Sequence, residues 1–154
     1  MNGRDVSFLV LGLAAGIVAT VFAKDNAAAP ELKSGVYAWD SLPVEKTASS
    51  ERRAVFDAAT RTLERLETHV TTVNPGDASH AAHRHPDEEL VYVREGVIEA
   101  TVNGVSTLAP AGSVIFFASN DLHGMRNASD KPASYFVLRW TSPGHEGPKP
   151  GGSH

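Results

Sequence analysis

Short runs of apolar and β-branched residues alternate with turn signals along most of the chain. Such runs are typical of β-strands, and strands that recur about every 8–12 residues indicate a sandwich or a barrel. The pair Asn103-Gly104 is a hairpin signal, because both residues tolerate the positive φ angles of a two-residue turn. The pattern therefore predicts an all-β domain. Its predicted strands are residues 36–39, 66–73, 90–93, 97–102, 105–108, 114–117 and 135–140.

Residues 51–70 fit two interpretations. Their apolar positions have the spacing of one helix face. The polar interruption at residues 60–62 and the β-branched continuation suit a β-hairpin instead. We favour strands for this segment. The positions with helical spacing are Val55, Phe56, Ala59, Leu63, Leu66 and Val70.

The two ends of the chain differ from this β pattern. Residues 6–23 are almost entirely apolar and end in Val21-Phe22-Ala23, which predicts a secretory signal peptide over residues 1–23. An uncleaved membrane anchor is the alternative, since about 18 apolar residues just span a bilayer. Residues 24–34 are interpreted as a linker, and the Gly- and Pro-rich residues 142–154 as a disordered tail.

The composition of the chain limits the classes of partner and of covalent modification that we expect. The 154 residues suggest one domain, and the net charge of -4 comes without a basic patch that would indicate nucleic-acid binding. The chain has no cysteine, so neither a disulfide nor a lipid-modified cysteine contributes. We expect a periplasmic or extracellular protein with no membrane association once the signal peptide is removed.

Several histidines and a carboxylate lie close together in the sequence after the first predicted strands. His83 and His85 occupy alternate positions, so on a strand their imidazoles point to the same face. Glu89 follows just after them and His123 comes later in the chain. Three neutral nitrogens and one carboxylate suit a divalent first-row metal with open coordination positions. Spacing alone leaves a second interpretation open, in which these are surface histidines, joined by His80, beside an acidic turn.

The order of these residues resembles the two motifs of the cupin superfamily. The resemblance covers residues 66–141 and implies a single-domain cupin, a jelly-roll barrel or double-stranded β-helix, over residues 35–141. Two departures stand out: six residues separate Gly76 from His83 where five are usual, and no proline shortly precedes His123. The matching positions are Gly76, His83-x-His85, Glu89, Gly96, Gly104, Pro110, Gly112 and His123-x3-Asn127.

The resemblance also implies roles for individual residues. His83, His85, Glu89 and His123 would bind one divalent ion, which could be Mn, Fe, Ni, Cu or Zn. Glu89 is preferred to Glu88 because only Glu89 leaves six residues before the motif glycine. Glu89 could also leave the ion in part and act as a base, as its equivalent does in some cupin dioxygenases.

Three further residues carry expectations. Asn127 begins an Asn-Ala-Ser sequon, but we favour a turn or supporting role over glycosylation. Met125 has the strand parity of His123 and is expected at a pocket wall. Arg139 could reach an anionic substrate, although an outward, solvated arginine is the favoured interpretation.

Two function classes follow from the resemblance. The first is a small metal-dependent enzyme acting on a small organic molecule by dioxygenation, decarboxylation, isomerisation or hydrolytic deamination. The second is a non-catalytic protein that binds a sugar or another small ligand. We also expect a homodimer, with the predicted strand near Val36 contributing to the contact, because pairing covers exposed sheet edges.

Overall fold

The computed structural model describes residues 31–144. Strands dominate this part of the chain, together with one short 3₁₀ turn at Trp39–Ser41. Among these residues no helix is long and apolar enough to cross a bilayer. The strands are β1 (Val44–Lys46), β2 (Ser50–Ala58), β3 (Arg65–Val73), β4 (Glu88–Glu95), β5 (Val97–Val102), β6 (Val105–Pro110), β7 (Val114–Phe117), β8 (His123–Asn127) and β9 (Ala133–Thr141).

The strands form two antiparallel sheets. One has six strands in the order β1-β2-β3-β9-β4-β7, and the other has three in the order β6-β5-β8. Apolar side chains from both sheets, including Val91, Ile98, Phe117 and Val137, fill the space between them. The all-β, jelly-roll prediction is confirmed.

The ambiguous segment 51–70 is a hairpin rather than a helix. Strand β2 pairs with β3 from Ser50↔Val73 to Ala58↔Leu66, with an irregularity between Ala54 and Phe56. Strand β3 also pairs along its whole length with β9. Pairing on both edges fixes β3 as an extended central strand, which explains why its β-branched residues outweigh the accidental helical spacing.

The Asn103-Gly104 turn has the predicted conformation. Asn103 has φ of 47° and Gly104 has φ of 86°, and the turn places Val102 opposite Val105. Both central residues are thus left-handed, as a tight hairpin turn requires. The turn fixes the register of β5 and β6 and with it the face that Ile98 and Ala100 bury.

The prediction of a strand at residues 36–39 is wrong. Val36 is almost fully exposed, and the chain enters a 3₁₀ turn at Trp39. The N–H and the hydroxyl of Ser41 both donate to the carbonyl of Ala38, so local hydrogen bonds replace strand pairing here. Strand β1, which the sequence pattern did not reveal, holds the outer edge of the sheet instead.

Side-chain parity assigns two different faces to the six-stranded sheet. The odd-numbered residues of β3, β4 and β9 point towards the other sheet, as the buried Val73, Val91 and Val137 show. One row across this inner face is polar: Glu67 lies opposite Arg139, and Arg139 lies opposite Glu89. The interior is therefore apolar at one end and charged at the other.

Several predictions concern residues that lie beyond this part of the chain. The signal peptide at residues 1–23, most of the linker at 24–34 and most of the tail at 142–154 lie outside the described residues. The structure describes residues 31–34 of that linker, and they carry no helix or strand.

Candidate metal centre

His83 and His85 lie on a loop and not on a regular strand, contrary to the prediction. His83 makes a single β-bridge to His123, in which each backbone N–H donates to the other carbonyl at 2.9 and 3.0 Å. Two residues later, the backbone carbonyl of His85 accepts a hydrogen bond from the backbone N–H of Asn120 at 2.9 Å. Pro86 then lacks a backbone donor, so the ladder does not extend. Bridging to β8, rather than strand alternation, positions these two histidines.

The three predicted histidines converge. His83, His85 and His123 each offer one ligand nitrogen, and these atoms lie within 4.8 Å of one another. Their ring centroids are 4.8 to 5.2 Å apart. Two neighbouring histidines and one that lies 38 positions further along the chain thus point at one place.

Backbone carbonyls hold two of the rings in a defined tautomer. His85 Nδ1 lies 3.0 Å from the carbonyl oxygen of Asp87, and His123 Nδ1 lies 2.9 Å from that of Asp121. A carbonyl can only accept, so both Nδ1 atoms carry the proton, and the unpartnered Nε2 of His123 keeps its lone pair. Metal-ligating histidines are oriented in this way.

The cluster has the properties that a metal site needs. His83 Nδ1 and His123 Nε2 are buried and have no hydrogen-bond partner among the described residues. Burial and the neighbouring His80, His123 and His85 lower the pKa of His83 to about 4, so the imidazole is neutral at pH 7. Neutral, unpartnered nitrogens are costly to bury without a partner. The three histidines therefore fit a divalent metal ion and can hold one.

Glu89 lies beside the histidines on the inner face of β4. It is 6% exposed, and its Oε2 is 3.1 Å from His85 Nε2. Burial raises its pKa, but the hydrogen bond from His85 and the nearby His123 and Arg139 outweigh that effect, so the pKa falls below its ordinary value. An ionised carboxylate thus stands next to the cluster, while its neighbour Glu88 has the opposite parity. The ligand role of Glu89 stays a prediction.

Two aromatic contacts hold the cluster in place. The ring of Phe117 stacks on His123, with centroids 4.2 Å apart and planes 15° apart. The exposed His80 meets His83 edge to face, at 4.5 Å and 88°. His80 is not one of the three residues whose ligand nitrogens converge, so it lies beside the cluster.

Arg139 does not point outward into solvent as the favoured interpretation held. Its Nε lies 3.5 Å from Glu67 and 3.3 Å from Asp87, and its side chain is 23% exposed. Asp87 also accepts from Arg65 and from the Thr141 hydroxyl. The partners that draw Arg139 inward come from β3 and from the turn before β4, and no local pattern around residue 139 indicated them.

A second polar group was missed altogether. Glu67 and His69 occupy alternate inward positions on β3, and His69 Nδ1 lies 2.8 Å from Glu67 Oε1. The alternation of Glu67, His69 and Thr71 was visible in the sequence. Strand parity applied to the second half of the 51–70 segment would have placed these polar side chains inside.

Asn127 and Met125 are both internal. Asn127 is fully buried: its amide nitrogen donates to the carbonyls of Val73 and Lys131, and its oxygen accepts from Ser129. It thus has the expected turn role. Met125 is buried in the core on the same face of β8 as His123.

Comparisons with known proteins agree on the fold. Residues 69–139 match the family model described as Cupin domain. A cupin described as RmlC-like, from Shewanella frigidimarina, is 18% identical over 75% of this chain and 96% of its own, with a TM-score of 0.58. A predicted oxalate decarboxylase from Thermotoga maritima is 15% identical over 70% and 99%, with a TM-score of 0.59. A sugar phosphate isomerase from Silicibacter pomeroyi is 18% identical over 71% and 77%, with a TM-score of 0.58. No curated protein sequence matches this chain.

Proposed function

Because residues 69–139 form a cupin domain and the chain belongs to the cupin superfamily, we propose that it is a metal-dependent enzyme acting on a small organic molecule. The observation that carries this proposal is the convergence of three histidines, two of which, His83 and His123, have a buried nitrogen without a partner among the described residues. His83, His85 and His123 hold the ion, and Glu89 supplies a fourth, anionic ligand.

When bound, the ion supplies Lewis-acid or redox chemistry at its open positions. The chain contributes the rest. The carbonyls of Asp87 and Asp121 fix the two imidazole tautomers, and Phe117 fixes the plane of His123. Glu89, which is buried and ionised, is placed to accept a proton from a molecule that enters the site.

Similar structures include proteins named as enzymes, but they select neither a reaction nor an enzyme over a binding protein. Proteins named as a predicted oxalate decarboxylase and as a sugar phosphate isomerase share this fold with the chain. Their identities of 15% and 18% bear on the fold alone. A non-catalytic cupin that binds a small ligand is the competing proposal, because the same cluster can hold an ion and a ligand without turnover.

The metal site is tested by elemental analysis of purified protein. The double variant His83→Ala/His85→Ala should lose its ion, while His80→Ala should keep it, because the exposed His80 lies outside the converging set. Circular dichroism checks that all three proteins are folded. Equal metal content in the wild type and the double variant would contradict the assignment.

Turnover separates the enzyme from the binding protein. The metal-loaded protein is assayed for O₂ uptake and product formation with phenols, diketones, organic acids and sugar phosphates. Turnover that disappears with the ion supports the enzyme. A fully loaded site with saturable ligand binding and no turnover on any of these compounds would establish the binding protein instead.

A further inference from the structure

The outer face of the six-stranded sheet carries an apolar row where the outward side chains of a β-sandwich are usually polar. Val70 of β3 lies opposite Phe136 of β9, and Phe136 lies opposite Tyr92 of β4. These even-numbered residues point away from the other sheet, so they share the face that the histidine cluster does not use. The row therefore indicates that another group covers this part of the sheet.

The segment that precedes β1 covers this row only in part. Tyr37 packs edge to face on Phe56, with ring centroids 5.1 Å apart, and the 3₁₀ turn that follows begins at Trp39. Val70 is buried beneath this cover, but Trp39 and Tyr92 are each 44% exposed. A cavity of about 430 Å³ lies between the segment and the strands. Its size is in the range of small-molecule sites, about 300–1,000 Å³.

Aromatic rings line this cavity from two sides. Phe136 and Tyr92 contribute from the sheet, and Tyr37 and Trp39 contribute from the segment that crosses it. The other lining residues, apart from Arg94, are aliphatic. Flat apolar molecules stack on such rings, and leaving water favours them in proportion to the apolar area that is buried. The cavity therefore fits the ring system of an aromatic compound.

Among the described residues that line the cavity, only Arg94 carries a charge. An irregularity in the strand positions this side chain. The pairing of β4 with β9 passes from Val93↔Tyr135 to Glu95↔Ser134 and leaves Arg94 without an opposite residue. Such bulges redirect a side chain. The Arg94 guanidinium lies over the ring of Trp39, 5.4 Å from the ring centroid.

The charge of Arg94 is not neutralised by an ion pair within residues 31–144. Arg53 also lies over the ring of Trp39, at 4.5 Å, but it is paired with Glu51 at 3.0 Å. A guanidinium binds a carboxylate through two parallel hydrogen bonds, so Arg94 can receive an acid group at the edge of the cavity. Two guanidinium groups beside the rings also repel cationic compounds.

We propose that this cavity is a binding site for a small aromatic carboxylate. The ring system of the ligand contacts Trp39 and Tyr92, and its carboxylate accepts two hydrogen bonds from Arg94. The site is separate from the histidine cluster, because Tyr92 and Glu89 point to opposite faces of β4. Binding here therefore does not depend on the proposed function.

Naphthalene-2-carboxylate is a probe with this chemistry, and 2-naphthalenemethanol is its uncharged analogue. In ¹H–¹⁵N NMR titrations the carboxylate should move the indole N–H signal of Trp39 and leave that of Trp140, which packs on Phe116 instead. It should bind saturably with a Kd of about 1 mM or lower. Its affinity should exceed that of the alcohol by about tenfold or more, because the hydrogen bonds from Arg94 are charge-assisted. No movement of the Trp39 signal, or equal affinities for both compounds, overturns the proposal.

The variant Arg94→Gln tests the charge separately from the shape of the cavity. It should bind the carboxylate no more tightly than the alcohol, while its circular dichroism stays that of the wild type. Arg61→Gln is the matched control, because Arg61 is exposed in the turn between β2 and β3. That control should keep the wild-type preference for the carboxylate. A preference that persists in Arg94→Gln overturns the role of Arg94.

Two competing occupants give different results. If a second copy of the chain covers this face, analytical ultracentrifugation shows a dimer and the probe leaves the Trp39 signal unchanged, which overturns the proposal. If the probe binds at the histidine cluster, His83→Ala/His85→Ala abolishes its binding and Arg94→Gln does not, which also overturns it. Unchanged affinity in the double variant, with the preference lost in Arg94→Gln, supports the cavity even if the proposed function fails.

Discussion

Acidification of the metal-free protein should destabilise it through His83. In the folded protein, burial and the three neighbouring histidines hold the pKa of His83 at about 4. In the unfolded chain the same side chain has its ordinary pKa of about 6.5. Between these values the unfolded chain binds a proton that the folded chain does not, so the free energy of unfolding falls as the pH decreases.

The size of the effect follows from the two pKa values. From pH 7 to pH 5 the linkage amounts to about 2 kcal/mol, with a limit of about 3.4 kcal/mol below pH 4. His83 is only partly buried, so solvent screening reduces the loss expected between pH 7 and pH 5 to about 1 kcal/mol. The lowered pKa of His123, caused chiefly by burial, acts in the same direction.

Urea unfolding of chelator-treated protein at pH 7, 6 and 5 measures this loss. The variant His83→Gln should lose about 1 kcal/mol less than the wild type over that range, because glutamine does not titrate. Far-UV circular dichroism at pH 7 serves to show that both are folded. If wild type and variant lose the same stability between pH 7 and pH 5, burial does not disfavour the charged form of His83 and the reasoning is refuted.

Two further predictions concern the framework around the site. Gly96→Ala should cost about 2 to 5 kcal/mol, because a Cβ there meets Ala133 Cβ at 2.7 Å and the residue has φ of 80°. Gly112→Ala is the matched control: it has φ of 90° and no atom within 4 Å of the added Cβ, so it should cost only about 1 to 2 kcal/mol. Equal losses in urea unfolding would contradict the packing argument. Asn127→Ala should cost at least about 2 kcal/mol in the same assay, because buried backbone groups lose their partner, and a loss under 1 kcal/mol would contradict it.

The sequence was most informative where local chemistry decides the structure. The Asn103-Gly104 turn and the strand that ends at Phe117 follow from residue types within a few positions. The three histidines were also found correctly as a converging set. Turn residues and ligand types act through short-range preferences, which a single sequence displays directly.

What the sequence did not reveal depends on pairing between distant segments. His83 is held by a bridge to His123, forty positions away, and not by a strand of its own. Arg139 turns inward because its guanidinium lies next to the carboxylates of Glu67 and Asp87. Neither contact leaves a local pattern, since both arise only when β3, β8 and β9 have taken their places in the sheets.

The burial of Asn127 has a practical consequence for producing this protein. The amide nitrogen that would carry an N-linked glycan already donates to the carbonyls of Val73 and Lys131, inside the folded domain. A eukaryotic secretory host attaches a glycan to an Asn-X-Ser sequon that is accessible on the surface or that has not yet been buried by folding. A glycan attached to Asn127 before folding would prevent this side chain, and the turn that follows β8, from taking their places in the folded domain. Bacterial expression, or Ser129→Ala to remove the sequon in a eukaryotic host, avoids this competition between modification and folding.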